Sequence, residues 1–140
     1  MKILLSVDGS AYTQRMLDYI TTHSDWLGKH HRYTVLHVVP YMQPRAAAVA
    51  PRATIEAFYR DEIELVLGPV RSTLTSRGIE SDYLGKPGNV ADVICHEARD
   101  GGYDLVVMGS HGHGNFLNLV MGSVATKVLG GCNVPVLLLR

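Results

Sequence analysis

The sequence predicts an α/β fold in which helices cover both faces of an open, parallel, five-stranded sheet. Short apolar runs without strict alternation recur along the chain, helical patterns alternate with them, and the connections are short. Such alternation implies parallel strands joined by right-handed crossovers. The 140 residues, 46% hydrophobic and 19% charged, suit a single domain over 1–140 with a sizeable core.

The first two strand–helix units have clear patterns. Residues 3–7 form an apolar run typical of a strand buried on both faces. Ser10 ends the following turn and is a good N-cap for a helical pattern that reaches residue 28. The β-branched run 33–39 predicts the second strand, which Pro40 stops. The proline-rich segment 40–53 predicts an irregular, mobile loop.

The next unit is less regular. Apolar residues three or four apart predict a helix over 55–75. Pro69 lies inside this pattern and predicts a kink or break, because it lacks an N–H and crowds the preceding turn. Residues 79–84 alternate more than the other strand patterns, which favours a sheet edge, and 85–88 read as a turn.

The last third of the chain completes the alternation. A short helix is predicted over 90–98 and a strand over 103–108. A glycine-rich loop follows, and then a helix with apolar positions at 124–129. The final strand is predicted over 134–139.

Composition excludes several classes of function. Lys plus Arg and Asp plus Glu each total 13, so the chain lacks the basic excess of a nucleic-acid-binding surface. No run approaches the ~20 apolar residues of a membrane helix, and the apolar N-terminal run ends too early for a signal peptide. Cys95 and Cys132 lie in apolar patterns and favour reduced, buried thiols. We therefore expect a soluble, cytoplasmic protein.

The glycine-rich loop is the strongest functional signal. Gly109, Gly112 and Gly122 are separated by two and nine residues, and Ser123 follows the last of them. Glycine permits positive φ and a close approach of a ligand, and amides at a helix start favour phosphate. The loop is neither a Walker A motif nor a G-x-G-x-x-G fingerprint. Its spacing alone leaves two interpretations open, a phosphate site and a merely tight turn.

The position of this loop in the predicted sheet favours a binding role. In open α/β sheets, ligands lie beyond the carboxyl ends of the strands, where the strand order reverses. With strand order 3-2-1-4-5, the turn at 8–10 and the loop from Gly109 onward flank that crevice. The sequence therefore predicts one cleft between these two loops.

The Gly-x2-Gly-x9-Gly-Ser pattern resembles the nucleotide-binding motif of the ATP-binding universal stress proteins. The resemblance covers the whole chain, through the runs ILLSVDGS (3–10), LHVV (36–39), DLVVMGSHG (104–112) and NVPVLL (133–138). Family members that bind no ATP lack the spaced glycines, and this chain keeps them all. The resemblance implies a Rossmann-like fold of the adenine nucleotide alpha hydrolase-like type.

The resemblance also implies specific roles. Residues 6–8 lie against the adenosine, and Val38 offers main-chain groups to adenine. Residues 108–109 lie beside the ribose. The amides of 112–115 and 122–124 hold the phosphates, assisted by the serine hydroxyl. The implied cofactor-binding residues are Ser6, Val7, Asp8, Val38, Met108, Gly109, Gly112, His113, Gly114, Asn115, Gly122, Ser123 and Val124.

Several residues near the predicted cleft have alternative roles. Asp8 also suits a turn and cap. His111 and His113 form a pair suited to phosphate or metal, but no local Cys or carboxylate completes a metal site, and exposed loop histidines are the alternative. Arg45 and Arg52 either fold over the phosphates or remain solvated.

Three functions are consistent with these patterns. The first is a regulatory stress protein that holds ATP, with or without Mg²⁺. The second is a slow ATP-hydrolysing or nucleotidyl-transfer enzyme, which the absence of a carboxylate beside the loop disfavours; no catalytic or metal-ligating residue is predicted. The third is a nucleotide-independent dimeric interaction module. The apolar last strand is a sheet edge, and the resemblance implies that it pairs across a two-fold axis in a homodimer.

Overall fold

A computed structural model of the chain describes residues 1–114 and 120–140. Its sheet has the order β3-β2-β1-β4-β5, and all neighbouring strands are parallel. This order confirms the predicted fold. The strands are β1 (Lys2–Ser6), β2 (Arg32–Val39), β3 (Ser81–Pro87), β4 (Leu105–Gly109) and β5 (Val136–Leu139).

Helices cover both faces of the sheet, as predicted. Those of the described residues are α1 (Ala11–Thr22), α2 (Ser24–Leu27), α3 (Pro44–Val49), α4 (Arg52–Ser76), α5 (Val90–Asp100) and α6 (Ser123–Gly131). The helices α1 and α4 pack on one face, and α5 and α6 pack on the other. None of the helices in the described ranges is long and apolar enough to cross a bilayer.

Two apolar clusters, one on each side of the sheet, form the core. Successive strand residues point to opposite faces, so both alternating sets in β1 and β2 are buried. The cluster under α1 and α4 includes Ile3, Leu5, Val35, Met16, Leu17, Leu67 and Leu74. The cluster under α5 and α6 includes Leu4, Leu36, Val106, Ile94, Ala98 and Val128.

The segment 40–53 differs from its prediction. Residues Pro44–Val49 form a short helix, so the irregular loop was wrong for the middle of this segment. Pro44 occupies the first helical turn, where its missing N–H has no intrahelical partner to lose. None of the six residues is buried, so no apolar stripe marked the helix in the sequence.

The helix α4 continues through Pro69, which excludes a break at this residue, whereas a kink there stays a prediction. The buried side chains of Leu67, Val70 and Leu74 hold the helix against the sheet on both sides of the proline. Their burial offsets the hydrogen bond that the proline removes.

The strand β3 is at the sheet edge, as predicted, but it begins and ends later than its sequence pattern. It runs to Pro87, and Gly85, predicted to begin a turn, pairs with His37 inside the strand. A side chain at Gly85 would collide with Ile63 of α4. Close packing of the helix on the strand therefore explains this glycine.

Candidate functional site

A cleft of about 320 Å³ opens at the carboxyl edge of the sheet, beyond β1, β2 and β4. Its volume lies in the range typical of small-molecule sites. Asn115 lies outside the described residues. Every other residue of the predicted set lines the cleft, namely Ser6, Val7, Asp8, Val38, Met108, Gly109, Gly112, His113, Gly114, Gly122, Ser123 and Val124.

The first loop, residues 7–10, forms one wall and is held by local hydrogen bonds. Asp8 Oδ1 accepts from the Ser10 amide at 2.9 Å and from the Thr13 hydroxyl at 3.1 Å. The amides of Asp8 and Gly9 each donate to Thr13 Oγ1 at 3.1 Å. Gly9 has φ +76°, which favours glycine. Asp8 therefore has the turn role that its sequence context suggested as an alternative.

The floor of the cleft comes from β1 and β2. The Val7 amide donates to Leu36 O at 2.9 Å, and His37 Nδ1 donates to Val7 O at 2.8 Å. Val38 lies two residues after Leu36, so its N–H and C=O point to the same side of β2, beyond the end of β1. This geometry directs main-chain groups of Val38 toward the cleft.

The opposite wall is the glycine loop, of which 109–114 and 120–122 are described. The Ser110 amide donates to Leu139 O at 2.8 Å, and the Gly122 amide donates to Ser110 O at 2.7 Å. Gly122 is the N-cap of α6 and supplies no side-chain cap. The first amides of a helix have no intrahelical partner, so those of Ser123 and Val124 are available to an anion in the cleft.

The three spaced glycines are explained by close packing. None has a positive φ, so the freedom of glycine to adopt that conformation does not explain the motif. A Cβ on Gly109 would lie 2.6 Å from Tyr12 Cβ, and one on Gly112 would lie 2.6 Å from Asp8 Oδ2. A Cβ on Gly122 would lie 3.2 Å from the His111 Cα. The glycines allow the loop to pack against α1, against the first loop and against itself.

The two loop histidines contact different parts of the cleft. His113 Nε2 donates to Asp8 O at 2.6 Å and so joins the glycine loop to the first loop. The Nδ1 atom of His111 is 2.9 Å from the Ser110 hydroxyl, and its ring lies 5.3 Å from that of Tyr12. Within 1–114 and 120–140, no cluster of three or more His, Cys, Asp or Glu residues is suited to a metal.

The arginines of the segment after β2 do not line the cleft. Arg45 is exposed on α3. Arg52 pairs with Glu56 one turn further along α4, with the Nε and Oε1 atoms 2.7 Å apart. Among the described residues of the lining there is no Lys or Arg, and Asp8 is the one carboxylate. Positive potential in this part of the site therefore comes from amides and histidines.

Sequence reasoning had already placed His111 near the cleft, but it missed another part of the lining: Tyr12, Thr13, His37, Pro40, Val90, Ser110 and Ala125. Tyr12 and Thr13 begin the helix after the first loop, and their position beside Ser10 was a usable signal. Val90 begins α5 and reaches the cleft only because α5 packs beside α6. No local pattern indicates such a contact.

The sheet order and the cleft at its switch point define an open, Rossmann-like α/β protein. A model of the universal stress protein family matches residues 1–140. The chain belongs to the universal stress protein family, which confirms the resemblance seen in its motifs.

Curated relatives agree with this assignment. The universal stress protein Slr1230 of Synechocystis is 28% identical over 146 residues, which cover 99% of this chain. The chain spans only 42% of the length of that relative. The universal stress protein YxiE of Bacillus subtilis is 25% identical over 149 residues, which cover 99% of this chain and 98% of YxiE.

Solved structures share the fold. MJ0577, a protein of Methanocaldococcus jannaschii, has a TM-score of 0.78 at 24% identity, covering 99% of this chain and 94% of its own. A universal stress protein of Archaeoglobus fulgidus in complex with dAMP has a TM-score of 0.70 at 21% identity, covering 100% and 98%. A family member from Arabidopsis thaliana with AMP bound has a TM-score of 0.69 at 15% identity, covering 99% and 90%.

Proposed function

We propose that this chain binds ATP in the cleft and acts as a nucleotide-dependent regulator of the stress response. The observation that carries the proposal is the convergence of two features on one cleft. The uncapped N-terminus of α6 suits phosphate, and the Val38 main chain suits the edge of a base. Relatives of the same fold bind dAMP and AMP, which supports an adenine nucleotide.

The proposed binding mode follows the predicted roles. Adenine lies against Val38 and adenosine against residues 6–8. The ribose lies beside residues 108–109. The amides of 112–115 and 122–124, together with the Ser123 hydroxyl, donate hydrogen bonds to the phosphates. The amide and carbonyl of Val7 already have partners, so residue 7 contributes apolar surface more than hydrogen bonds.

The proposed role is to hold ATP, not to hydrolyse it. Efficient phosphoryl transfer needs a positioned base and usually carboxylates that bind the metal. In the described part of the lining, the carboxylate belongs to Asp8, and its Oδ1 accepts hydrogen bonds from the Ser10 amide and the Thr13 hydroxyl within the turn. If Mg²⁺ accompanies ATP, the phosphates supply most of its ligands.

Nucleotide identity is tested first on the purified protein. The chain is denatured and any released nucleotide is identified by mass. The nucleotide-free chain is then titrated with ATP, AMP and GTP, with MgCl₂ or with EDTA. At about 100-fold above Kd, ATP is expected to add about 3 kcal/mol to the free energy of unfolding. No thermal shift at millimolar ATP would contradict the proposal.

A serine variant tests the phosphate end of the site. Ser123→Ala removes an exposed hydroxyl at the start of α6 and is expected to weaken ATP binding by roughly fivefold, at about 1 kcal/mol for one hydrogen bond. AMP is expected to lose less affinity, because it lacks the distal phosphates. The matched control is Ser72→Ala, an exposed helical serine on α4 that lies outside the cleft lining. Equal losses in both variants would argue against phosphate binding at Ser123.

We also propose that the protein acts in the cytoplasm as a homodimer paired through β5. The edge strand β5 is short and apolar, and its residues Val136–Leu138 are only partly buried. Pro135 O and Leu139 O accept hydrogen bonds from β4 and its following residue. The main-chain groups of Val136 and Leu138 therefore point to the open edge.

Proline substitution tests this pairing selectively. Leu138→Pro removes an outward N–H and is expected to shift the dimer toward monomer in sedimentation velocity, with β4 pairing retained. Leu137→Pro removes an N–H directed at β4 and is expected to destabilise the fold instead. A wild-type monomer at high concentration would overturn the proposed dimer.

A further inference from the structure

Two thiols lie outside the cleft, on the other side of α5 and α6. Cys95 is on α5, and Cys132 directly follows α6. Both are free, half-buried and packed against the same apolar cluster. Neither lines the cleft. The proposed nucleotide site therefore gives this nucleophilic pair no role.

The last turn of α6 brings the two cysteines close to each other. Cys95 Sγ lies 4.0 Å from the carbonyl oxygen of Val128. The Cys132 amide donates to the same carbonyl oxygen at 2.8 Å. A Cβ on Gly131, the residue before Cys132, would lie 3.9 Å from Cys95 Sγ. The pair thus bridges the contact between α5 and the end of α6.

A pocket of about 230 Å³ gives small molecules access to Cys95. Cys95 lines it together with His96, Arg99 and Lys127, and Asp92 is the acid on its wall. Arg99 favours the thiolate of Cys95, whereas Asp92 opposes it. The surroundings are therefore polar and open to a small oxidant, unlike the interior of the core.

Burial raises the pKa of the Cys95 thiol to about 11, so oxidation of this thiol is expected to become faster as the pH rises.

We propose that Cys95 and Cys132 form a reversible intramolecular disulfide when the protein meets a peroxide. The thiolate of one cysteine attacks one peroxide oxygen, the O–O bond breaks, and the leaving hydroxide takes a proton to become water. The sulfur of the other cysteine then attacks the sulfenic acid, the S–O bond breaks, and the second hydroxide leaves with the proton of that cysteine as water. Two thiols are oxidised and one peroxide is reduced to two waters.

The disulfide ties together the two helices on one face of the sheet. It restricts the unfolded chain, so the oxidised protein is expected to melt at a higher temperature than the reduced protein. The opposite ends of α5 and α6 carry Val90 and Ser123, which line the cleft. The cross-link is independent of whether a nucleotide is bound.

Peptide mapping of the full chain tests the proposal. Reduced protein is exposed to hydrogen peroxide, alkylated and digested without reductant. The expected product is one species that joins the Cys95 and Cys132 tryptic peptides, with loss of both titratable thiols and full recovery in dithiothreitol. Mixing ¹⁵N-labelled and unlabelled chains shows whether the link is internal. Links between chains, or sulfinic acids without a linked peptide, overturn the proposal.

Serine variants test whether both sulfurs take part. Cys95→Ser and Cys132→Ser are each expected to give no internally linked peptide and to accumulate a sulfenic acid on the remaining cysteine that dimedone traps, because the resolving thiol is absent. A variant whose remaining cysteine is oxidised no further than in the wild type and gives no dimedone adduct would overturn the proposed steps. Circular dichroism checks that both variants fold, and the wild-type mapping requires no variant.

Discussion

The first loop and the glycine loop face each other across the cleft but use their polar groups differently. In the first loop, Asp8 and Thr13 exchange hydrogen bonds with each other and with adjacent amides. The glycine loop is tied at Ser110 and Gly122, whereas the first amides of α6 have no cap from Gly122. The polar groups of the first loop are hydrogen-bonded to each other and fix the shape of this wall, whereas the uncapped amides of α6 are available to bind an anion. We therefore expect the polar groups of the first loop to stabilise the fold and the free amides at the end of the glycine loop to bind the ligand, while the packing of both loops contributes to stability.

The largest effect is expected where the glycine loop packs on α1. In Gly109→Ala, the new Cβ would lie 2.6 Å from Tyr12 Cβ and 3.1 Å from His111 O. Neither neighbour is the end of a flexible side chain, so the free energy of unfolding is expected to fall by about 2–3 kcal/mol in urea denaturation. The matched control is Gly130→Ala in the last turn of α6, where nothing lies within 4 Å of a new Cβ. That control is expected to be neutral or slightly stabilising. A tolerated Gly109→Ala would show that packing does not explain the motif.

A smaller effect is expected in the first loop. Asp8→Ala removes the acceptor of the Ser10 amide and the Thr13 hydroxyl, and is expected to cost about 1–2 kcal/mol in urea denaturation. Asp8→Asn keeps an oxygen in the place of Oδ1 and is expected to recover most of that stability. If Asp8→Asn is as unstable as Asp8→Ala, the negative charge matters more than the hydrogen bonds.

The smallest effect is expected at the contact between the loops. His113→Ala removes the solvent-exposed hydrogen bond to Asp8 O. The free energy of unfolding is expected to fall by about 0.5 kcal/mol in urea denaturation. Amide hydrogen exchange is expected to accelerate at Gly112 and Gly114, while residues 8–10 keep their protection. His30→Ala, at an exposed histidine before β2, is the control. Faster exchange throughout the first loop would show that His113 supports both walls, and would remove the contrast between them.

Most of the fold was predictable because burial on both faces leaves a direct pattern in a sequence. The apolar runs of β1, β2 and β4 and the stripe of α5 required no tertiary information. The end of β3 was not predictable, because pairing with β2 extends that strand through Gly85 to Pro87. The course of α4 through Pro69 was also hidden, since the burial that holds it is decided by the sheet beneath it.

The candidate site also contains residues that were predictable from the sequence and residues that were not. Residues of the first and glycine loops were identified by motif and by their position after a strand, and the structure gathers the described ones around one cleft. Val90, Tyr12 and His37 complete the lining but belong to elements whose local patterns concern only helix and strand formation. Their approach to the cleft depends on how those elements pack.

The sequence by itself determined the fold class and the loop that faces the switch point, because hydrophobic period and glycine spacing are local properties, and its motifs carried the resemblance to the family. Only the tertiary structure explains why glycine, and no residue with a side chain, occupies the motif positions. Their φ values are unexceptional, and it is the contacts with Tyr12, Asp8 and His111 that leave no room for a Cβ. It also decided that Cys95 lies close to Cys132, because these residues approach the same Val128 carbonyl only when α5 packs against α6. Distances between segments far apart in the chain are set by packing, which a local pattern does not encode.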